Sequence, residues 1–317
     1  FGQEVTPGAR DDAVVLERAR SAEAAGDFDT GIKLLESLAA DASCPVRYHA
    51  MHLAAGLHLK RLDTPGNRDE IQGKPDAIAV EKYLKILADS SDYSMQSDAF
   101  LDLSRWLYRN SRWDELITRI TDRDRSPELR LYYAEAWMNT GRIDTAKRIL
   151  KDLWIHQCDM PLYDRVDSLY RQVLAAAETP FPDLTVREMY DRAQSLDDAG
   201  RRHEADTAFQ AVLAMDPPES LAASARIYRA KILTDTRQNT EALELYDRFI
   251  SLHPGHPSIP TAYFRQSIIY RRLGDDDAYL RMVAEIEHNH RSSKWWPVAI
   301  LGRGDFRRSR QEWDAAE

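Results

Sequence analysis

Histidines, tryptophans, cysteines and glutamate–serine pairs are the residues of this 317-residue chain whose types and spacing could do chemistry. The run HPGH sets His253 and His256 across a Pro-Gly turn, and HNH sets His288 and His290 near an expected helix end, spacings a transition metal can use. No acidic or cysteine cluster accompanies them, and a histidine near a helix C-terminus is favoured by the helix dipole. No metal site and no cofactor is therefore expected. Cys44 and Cys158 form no close-spaced metal or redox motif. They read as two buried thiols, with a single long-range disulfide as the alternative, and they do not define a compartment. Trp295 and Trp296, in SSKWWPVA, are candidates for stacking on a carbohydrate or other ligand, whereas Trp106, Trp113, Trp137, Trp154 and Trp313 fall on helical faces and are expected to pack. None of the 13 glycines forms a G-x-G-x-x-G or G-x-S-x-G run. No catalytic residue is assigned, and nothing points to an enzyme.

Composition narrows the partners. With 52 acidic against 43 basic residues the net charge is −9, which disfavours a nucleic-acid phosphate backbone. The local exception is RGDFRRSR, residues 303–310, which reads as a solvated helix face. Mean hydropathy is −0.55, and no apolar run approaches the roughly 18 residues a membrane span needs. The first residue is Phe1 and the last, Glu317, falls inside an expected helix, so both ends are expected to be artificial and the natural chain to continue.

The elements that position these residues emerge from self-similarity. In AGRRHEADTAFQAVLAMDP, TRQNTEALELYDRFISLHP, NTGRIDTAKRILKDLW and DAIAVEKYLKILAD an alanine is followed four residues later by a large residue. The pairs are Ala205 with Phe209, Ala242 with Tyr246, Ala146 with Leu150 and Ala79 with Tyr83. Ala205, Ala242, Tyr279 and Ala316 recur at a spacing of 37, as do Ala79 and Leu116. Each unit is a helical hairpin: Gly200 ends a first helix carrying Ala193, Ala205 lets the second backbone approach, Phe209 fills the gap one turn later, and Pro217 stops the helix.

This small–large–proline pattern resembles the tetratricopeptide repeat, most fully over 186–254 and more loosely at 19–45, 79–94, 98–121, 130–157 and 261–317. Tyr279, large for its slot, and the spacing of 37 against a usual period of about 34 depart from it. The resemblance implies an all-α, tetratricopeptide-like α-solenoid of antiparallel hairpins forming a superhelix. Two breaks interrupt it: DTPGNRDEIQGKPD, residues 63–76, reads as a loop, and ETPFPDL, residues 178–184, cannot be helix throughout. Two arrays are expected, 1–178 and 185–317, the last repeat being truncated.

Stacked hairpins offer an inner groove to a peptide or protein, so the expected function is a non-catalytic interaction scaffold. The repeat register places Tyr190, Gln194, Ile227, Lys231, Phe264, Arg271 and Arg272 on that concave face. The Lys-and-Asn arrangement of carboxylate-clamp tetratricopeptide proteins is not reproduced there.

The runs LTVREMYDRAQSLDDAGRRHEADTAFQAVL and SSKWWPVAILGRGDFRRSRQEWDAAE also resemble the N-terminal superhelical region of bacterial soluble lytic murein transglycosylases. That resemblance implies a bacterial periplasmic or cell-envelope location, the cytoplasm being the alternative, with peptidoglycan or a catalytic domain in cis as further partners. The catalytic domain of that family carries a glutamate followed by serine, because a protonated carboxyl must meet the glycosidic oxygen, and a GLMQ-like segment. Here Glu36-Ser37 and Glu219-Ser220 lie in or beside repeats and no GLMQ occurs, so the alternative function is an accessory region whose catalytic domain lies outside this chain. A third reading is an envelope adaptor or assembly lipoprotein.

Overall fold

A glycine that ends one helix and a small residue early in the next are the two local rules from which this fold is built. The computed structural model describes residues 12–64, 74–92, 94–120 and 126–309. Among them sixteen α-helices and no strand occur. They pair as α1 (Asp12–Ala24) with α2 (Phe28–Ala39), α3 (Arg47–Leu62) with α4 (Pro75–Ala88), and α5 (Gln96–Arg109) with α6 (Trp113–Arg119), followed in sequence by α7 (Pro127–Asn139) and α8 (Ile143–His156). After α9 (Tyr163–Ala176) come α10 (Val186–Asp198) with α11 (Arg202–Ala214), α12 (Glu219–Asp235) with α13 (Asn239–Leu252), and α14 (Ile259–Leu273) with α15 (Asp276–Asn289). The last described helix is α16 (Trp296–Ser309). The chain is all-α, as expected.

The chain divides into two compact units, one up to Ala146 and one from Lys147 onward. The division falls inside α8, not at the Pro-rich segment 178–184 expected as the boundary. That segment lies within unit 2 and is not helical, and its Phe181 ring meets Trp154 at 5.3 Å and Tyr170 at 6.0 Å, both edge-on. The Arg171 guanidinium lies 3.8 Å from the Phe181 centroid, a cation–π contact.

Among the described residues six helix-to-helix connections share one turn. Gly26, Gly141, Gly200 and Gly274 have φ between 75° and 79°, and Ser111 and Arg237 hold the same position at 55° and 63°. At each, the following N–H donates to the carbonyl five residues back, as Arg201 does to Leu196 at 2.9 Å and Gln238 to Leu233 at 2.9 Å, the Schellman closure of a helix. Five residues beyond each turn stands the contact slot: Gly31, Leu116, Ala146, Ala205, Ala242 and Tyr279, all buried. Between α3 and α4 the segment is longer, and residues 65–73 of it are not among those described. In α4 the buried pair is Val80 and Leu84, with Ala79 and Tyr83 only partly buried, so the expected Ala79–Tyr83 register is one residue off. Residues 65–73 of the expected loop, and Arg310, Trp313 and Ala316, lie outside the described residues.

The slot tolerates different sizes because the facing helix compensates. A Cβ on Gly31 would come within 2.8 Å of Leu57 Cδ1 and 3.5 Å of the Ala19 carbonyl. At the opposite extreme Tyr279 fits because Gly302 of α16 faces it, where a Cβ would stand 3.0 Å from the tyrosine hydroxyl. Gly31→Ala is therefore expected to destabilise unit 1 by about 1–3 kcal/mol, since Leu57 is buried and must shift. A urea midpoint equal to the parent's would show that the slot has room.

In unit 1 consecutive helices from α1 to α7 pack on one another, in unit 2 those from α10 to α16 do, and first helices also meet the first helix of the next hairpin, α5 on α7, α10 on α12 and α12 on α14. Cys44 and Cys158 are both free and buried, and burial raises both thiol pKa values, which disfavours reactive thiolates. In RGDFRRSR, Arg303 pairs with Glu287 at 2.7 Å and Arg308 with Asp305 at 3.3 Å.

Candidate functional site: a groove between first helices of unit 1

Helix α3 has two working faces. Ala50, Met51, Ala54, Leu57, His58 and Leu62 are buried. The stripe His49, His52, Leu53, Gly56, Leu59 and Lys60 instead lines a cavity of about 530 Å³, closed on the far side by α5. Val80 and Leu84 reach its floor from α4, and Trp106 from α5. From His49 to Lys60 the helix rises about 16 Å, the length of three turns. The groove is apolar at its centre and charged along its edges.

The edge charges are already paired. His52 Nε2 lies 3.0 Å from Asp102 Oδ2. Arg105 donates two bonds to Glu128, at 2.8 and 2.9 Å, and one to Asp102 at 3.2 Å. Arg109 bonds Asp63, and Lys60 bonds Glu23. The His52 hydrogen bond is the main reason the Asp102 carboxyl is held below its ordinary pKa, and the Arg105 fork does the same for Glu128. His49 makes no hydrogen bond among the described residues. Burial, then the electrostatic influence of Arg20 and His52, lower its pKa, which favours the neutral imidazole.

Behind the groove a polar cluster clamps three helices. His58 Nδ1 lies 2.6 Å from Asp76 Oδ1 at the start of α4, and Nε2 lies 3.2 Å from Glu36 Oε1 of α2. Arg61 donates from Nε to Asp76 Oδ2 at 2.9 Å and makes further bonds to Asp76 and Asp29. Tyr83 donates its hydroxyl to Glu36 Oε1 at 3.4 Å, and burial with that carboxylate pushes the phenol up to about 12. The donors and acceptors of this cluster are spent on one another, so it holds α2, α3 and α4 in register.

The residues placed on the concave face of unit 2 have varied surroundings. Tyr190 and Ile227 are buried, Tyr190 lying edge-on to Phe209 and Tyr228. This corrects their expected exposure: the next first helix packs over them. Lys231 pairs with Asp197 at 2.7 Å, and Arg272 donates to the Thr234 carbonyl at 2.8 Å. Phe264 stacks on Trp295 with centroids 4.0 Å apart. Gln194 is partly buried, and Arg271 is exposed, 6.0 Å from the Tyr279 ring. The Trp295 indole donates to Thr261 at 2.9 Å and that of Trp296 to the Glu287 carbonyl at 3.3 Å. Both rings therefore have a structural task.

Of the histidine pairs, His253 lies between Arg226 and Glu219, at 3.1 and 3.2 Å, and His288 contacts the Ala284 carbonyl at 2.8 Å. Among the described residues no three of His, Cys, Asp and Glu gather closely enough to hold a metal ion. No described helix is long and apolar enough to cross a membrane.

The unit 1 groove was not assigned from sequence, because the loop after α3 breaks the repeat register that marks inner-face positions. One local signal was available: Gly56 interrupts HAMHLAAGLHLK in the middle of a helix, where glycine is unfavourable.

Among solved structures the chain is similar to the P58(IPK) tetratricopeptide domain, at 14% identity over 95% of this chain and 99% of that one, with a TM-score of 0.34. It is similar to yeast Tom70 at 17% identity, over 96% of this chain and 60% of that one, with a TM-score of 0.33. A third is Acl4, the assembly chaperone of RpL4, at 14% identity over 84% and 98%, with a TM-score of 0.23. No curated protein matches the chain. The tetratricopeptide-repeat family model matches residues 190–257, the stretch of α10 to α13 in which alanine, aromatic and proline recur most regularly, and the fold of the described residues is all-α and tetratricopeptide-like.

Proposed function

We propose that this chain is a protein-interaction scaffold that seats a segment of a protein partner in the α3–α5 groove. The observation that carries this reading is Gly56. It lies inside α3, outside the left-handed region, and a Cβ placed on it meets nothing within 4 Å. A glycine there costs about 0.5–1 kcal/mol relative to alanine, and neither packing nor backbone geometry requires it. Its effect is to keep the middle of the groove open above an apolar floor. The paired edge charges favour a partner whose central contact is an uncharged apolar side chain, because a charge there would have to displace an existing ion pair. Gln194, Lys231, Phe264, Arg271 and Arg272 of unit 2 belong to the same proposal as a second contact surface, with Tyr190 and Ile227 as the packing beneath them.

Two substitutions at one position test it. Gly56→Ala is expected to raise the stability of unit 1 by about 0.5–1 kcal/mol in urea unfolding. Gly56→Trp is expected to fill the groove, leave the far-UV circular dichroism unchanged and reduce recovery of the partner from native extracts roughly tenfold or more, a loss of about 1.4 kcal/mol. Equal recovery of the same proteins by Gly56→Trp would sink the groove assignment. Charge reversal of Arg271 and Arg272 together asks the same question of unit 2.

A further inference from the structure

A second concavity, in unit 2, has the opposite chemistry. The loop between α13 and α14 and the loop between α15 and α16 face each other across a cleft of about 590 Å³. The chain has 52 acidic residues against 43 basic, yet no carboxylate lines this cleft. The nearby carboxylate of Glu285 accepts the Asn289 amide at 2.8 Å.

Three of the polar groups that line it, on His256, Thr261 and Ser293, each accept a hydrogen bond from the protein and keep a donor. His256 Nδ1 accepts the Ser258 backbone N–H at 3.1 Å, which leaves the ring proton on Nε2. Thr261 Oγ1 accepts the Trp295 indole N–H at 2.9 Å, freeing its own O–H to donate. Ser293 Oγ accepts the Trp295 backbone N–H at 3.2 Å with the same result. Lys294 is exposed and forms no ion pair among the described residues, its ammonium lying 5.0 Å from the Trp295 centroid. Three prolines and the Trp295 ring form the apolar remainder of the wall. Burial, with the adjacent His253, lowers the pKa of His256, in keeping with a singly protonated ring at neutral pH.

We propose that this cleft binds a tetrahedral oxyanion, a phosphate or sulfate group, through Lys294, His256, Thr261 and Ser293. Several neutral donors around one unpaired cation suit an ion with three or four acceptor oxygens better than a carboxylate with two. The anion has two sources, free in solution or esterified to a small aromatic or apolar group that would lie against Trp295 and the prolines. The site shares no residue with the unit 1 groove, so either proposal stands or falls without the other.

The test titrates the whole chain with inorganic phosphate and with phenyl phosphate, following the Trp295 indole N–H resonance, assigned through Trp295→Phe. Saturable shifts are expected with both probes, tighter for phenyl phosphate if the natural ligand is an ester and equal for the two if it is a free anion. Lys294→Gln, at an exposed position where folding is unaffected, is expected to weaken binding about tenfold or more. Lys82→Gln, an equal charge change on unit 1, is expected to leave it unaltered. Absence of saturation with both probes, or equal weakening by Lys294→Gln and Lys82→Gln, overturns the proposal.

Discussion

Phe209→Ala is expected to destabilise unit 2 by about 3–5 kcal/mol. The side chain is fully buried between α10 and α12, its ring edge-on to Tyr190 and stacked on Tyr228, both at 5.7 Å, with 11° between the stacked planes. Burying a phenylalanine contributes about 1.5–3 kcal/mol by transfer, and each aromatic pair adds about 0.5–1.5 kcal/mol. Tyr190 does not follow the retreating side chain, because it is also held in the contact between α10 and α12. The void therefore stays open and adds its own cost. Against a typical total stability of about 5–15 kcal/mol, the loss removes a large share of what unit 2 has. Phe209→Leu, which keeps most of the volume, is expected to cost only about 1.5 kcal/mol. Urea unfolding of the two variants beside the parent measures the difference, and similar midpoints for Ala and Leu would show that the residue does not plug the hairpin.

Asp76→Ala is expected to cost unit 1 about 3 kcal/mol, through the groups it leaves behind. Without Asp76, His58, almost wholly buried, loses the acceptor of one ring nitrogen, and Arg61, about one-third exposed, loses its fork. Removing one member of such a buried pair strands the other charge, and the partial exposure of Arg61 keeps the figure at the low end. The same carboxylate shapes the acid limb. Burial alone would raise the Asp76 pKa, but the hydrogen bonds from Arg61 and His58 outweigh it and hold the carboxyl below its ordinary value. Asp102 and Glu128, at the groove edge, are also lowered. A carboxylate whose folded pKa lies below its unfolded one binds fewer protons in the folded state. Its contribution is therefore complete above about pH 5 and is lost as pH falls through the folded value. Unit 1 is expected to lose stability steeply below about pH 4, and Asp76→Ala to flatten that decline. A decline of the same slope in the variant would remove Asp76 from the account.

The turns and contact slots were legible because they obey short-range steric rules. A residue with positive φ ends a helix, and five positions later only a residue matched to its neighbour fits, so both features recur in sequence. The register failed at Ala79, where a longer segment separates α3 from α4 and no turn glycine at the usual spacing anchors the count; the buried face is set by Val80 and Leu84 instead. Tyr279 read as an anomaly because its compensation, Gly302, lies on the following helix. Tyr190 and Ile227 were assigned to an open face by register alone, but packing between successive first helices decides exposure, and it covers both. The two concavities were legible only in part, for a different reason. The charged stripe of α3 reads as a solvated helix face, and His256 and Trp295 stand out in sequence, but only the distances show which groups are spent on partners and which keep a free donor.

The exchange of volume between Gly31 and Leu57, and between Tyr279 and Gly302, carries a consequence for how such a chain can be rearranged. A hairpin transplanted to another place in the array would bring its own bulge or hollow to a neighbour shaped for a different one, producing a collision at one junction and an empty pocket at the other. Sequence order is thus written into the seams between modules, and these modules are not interchangeable parts.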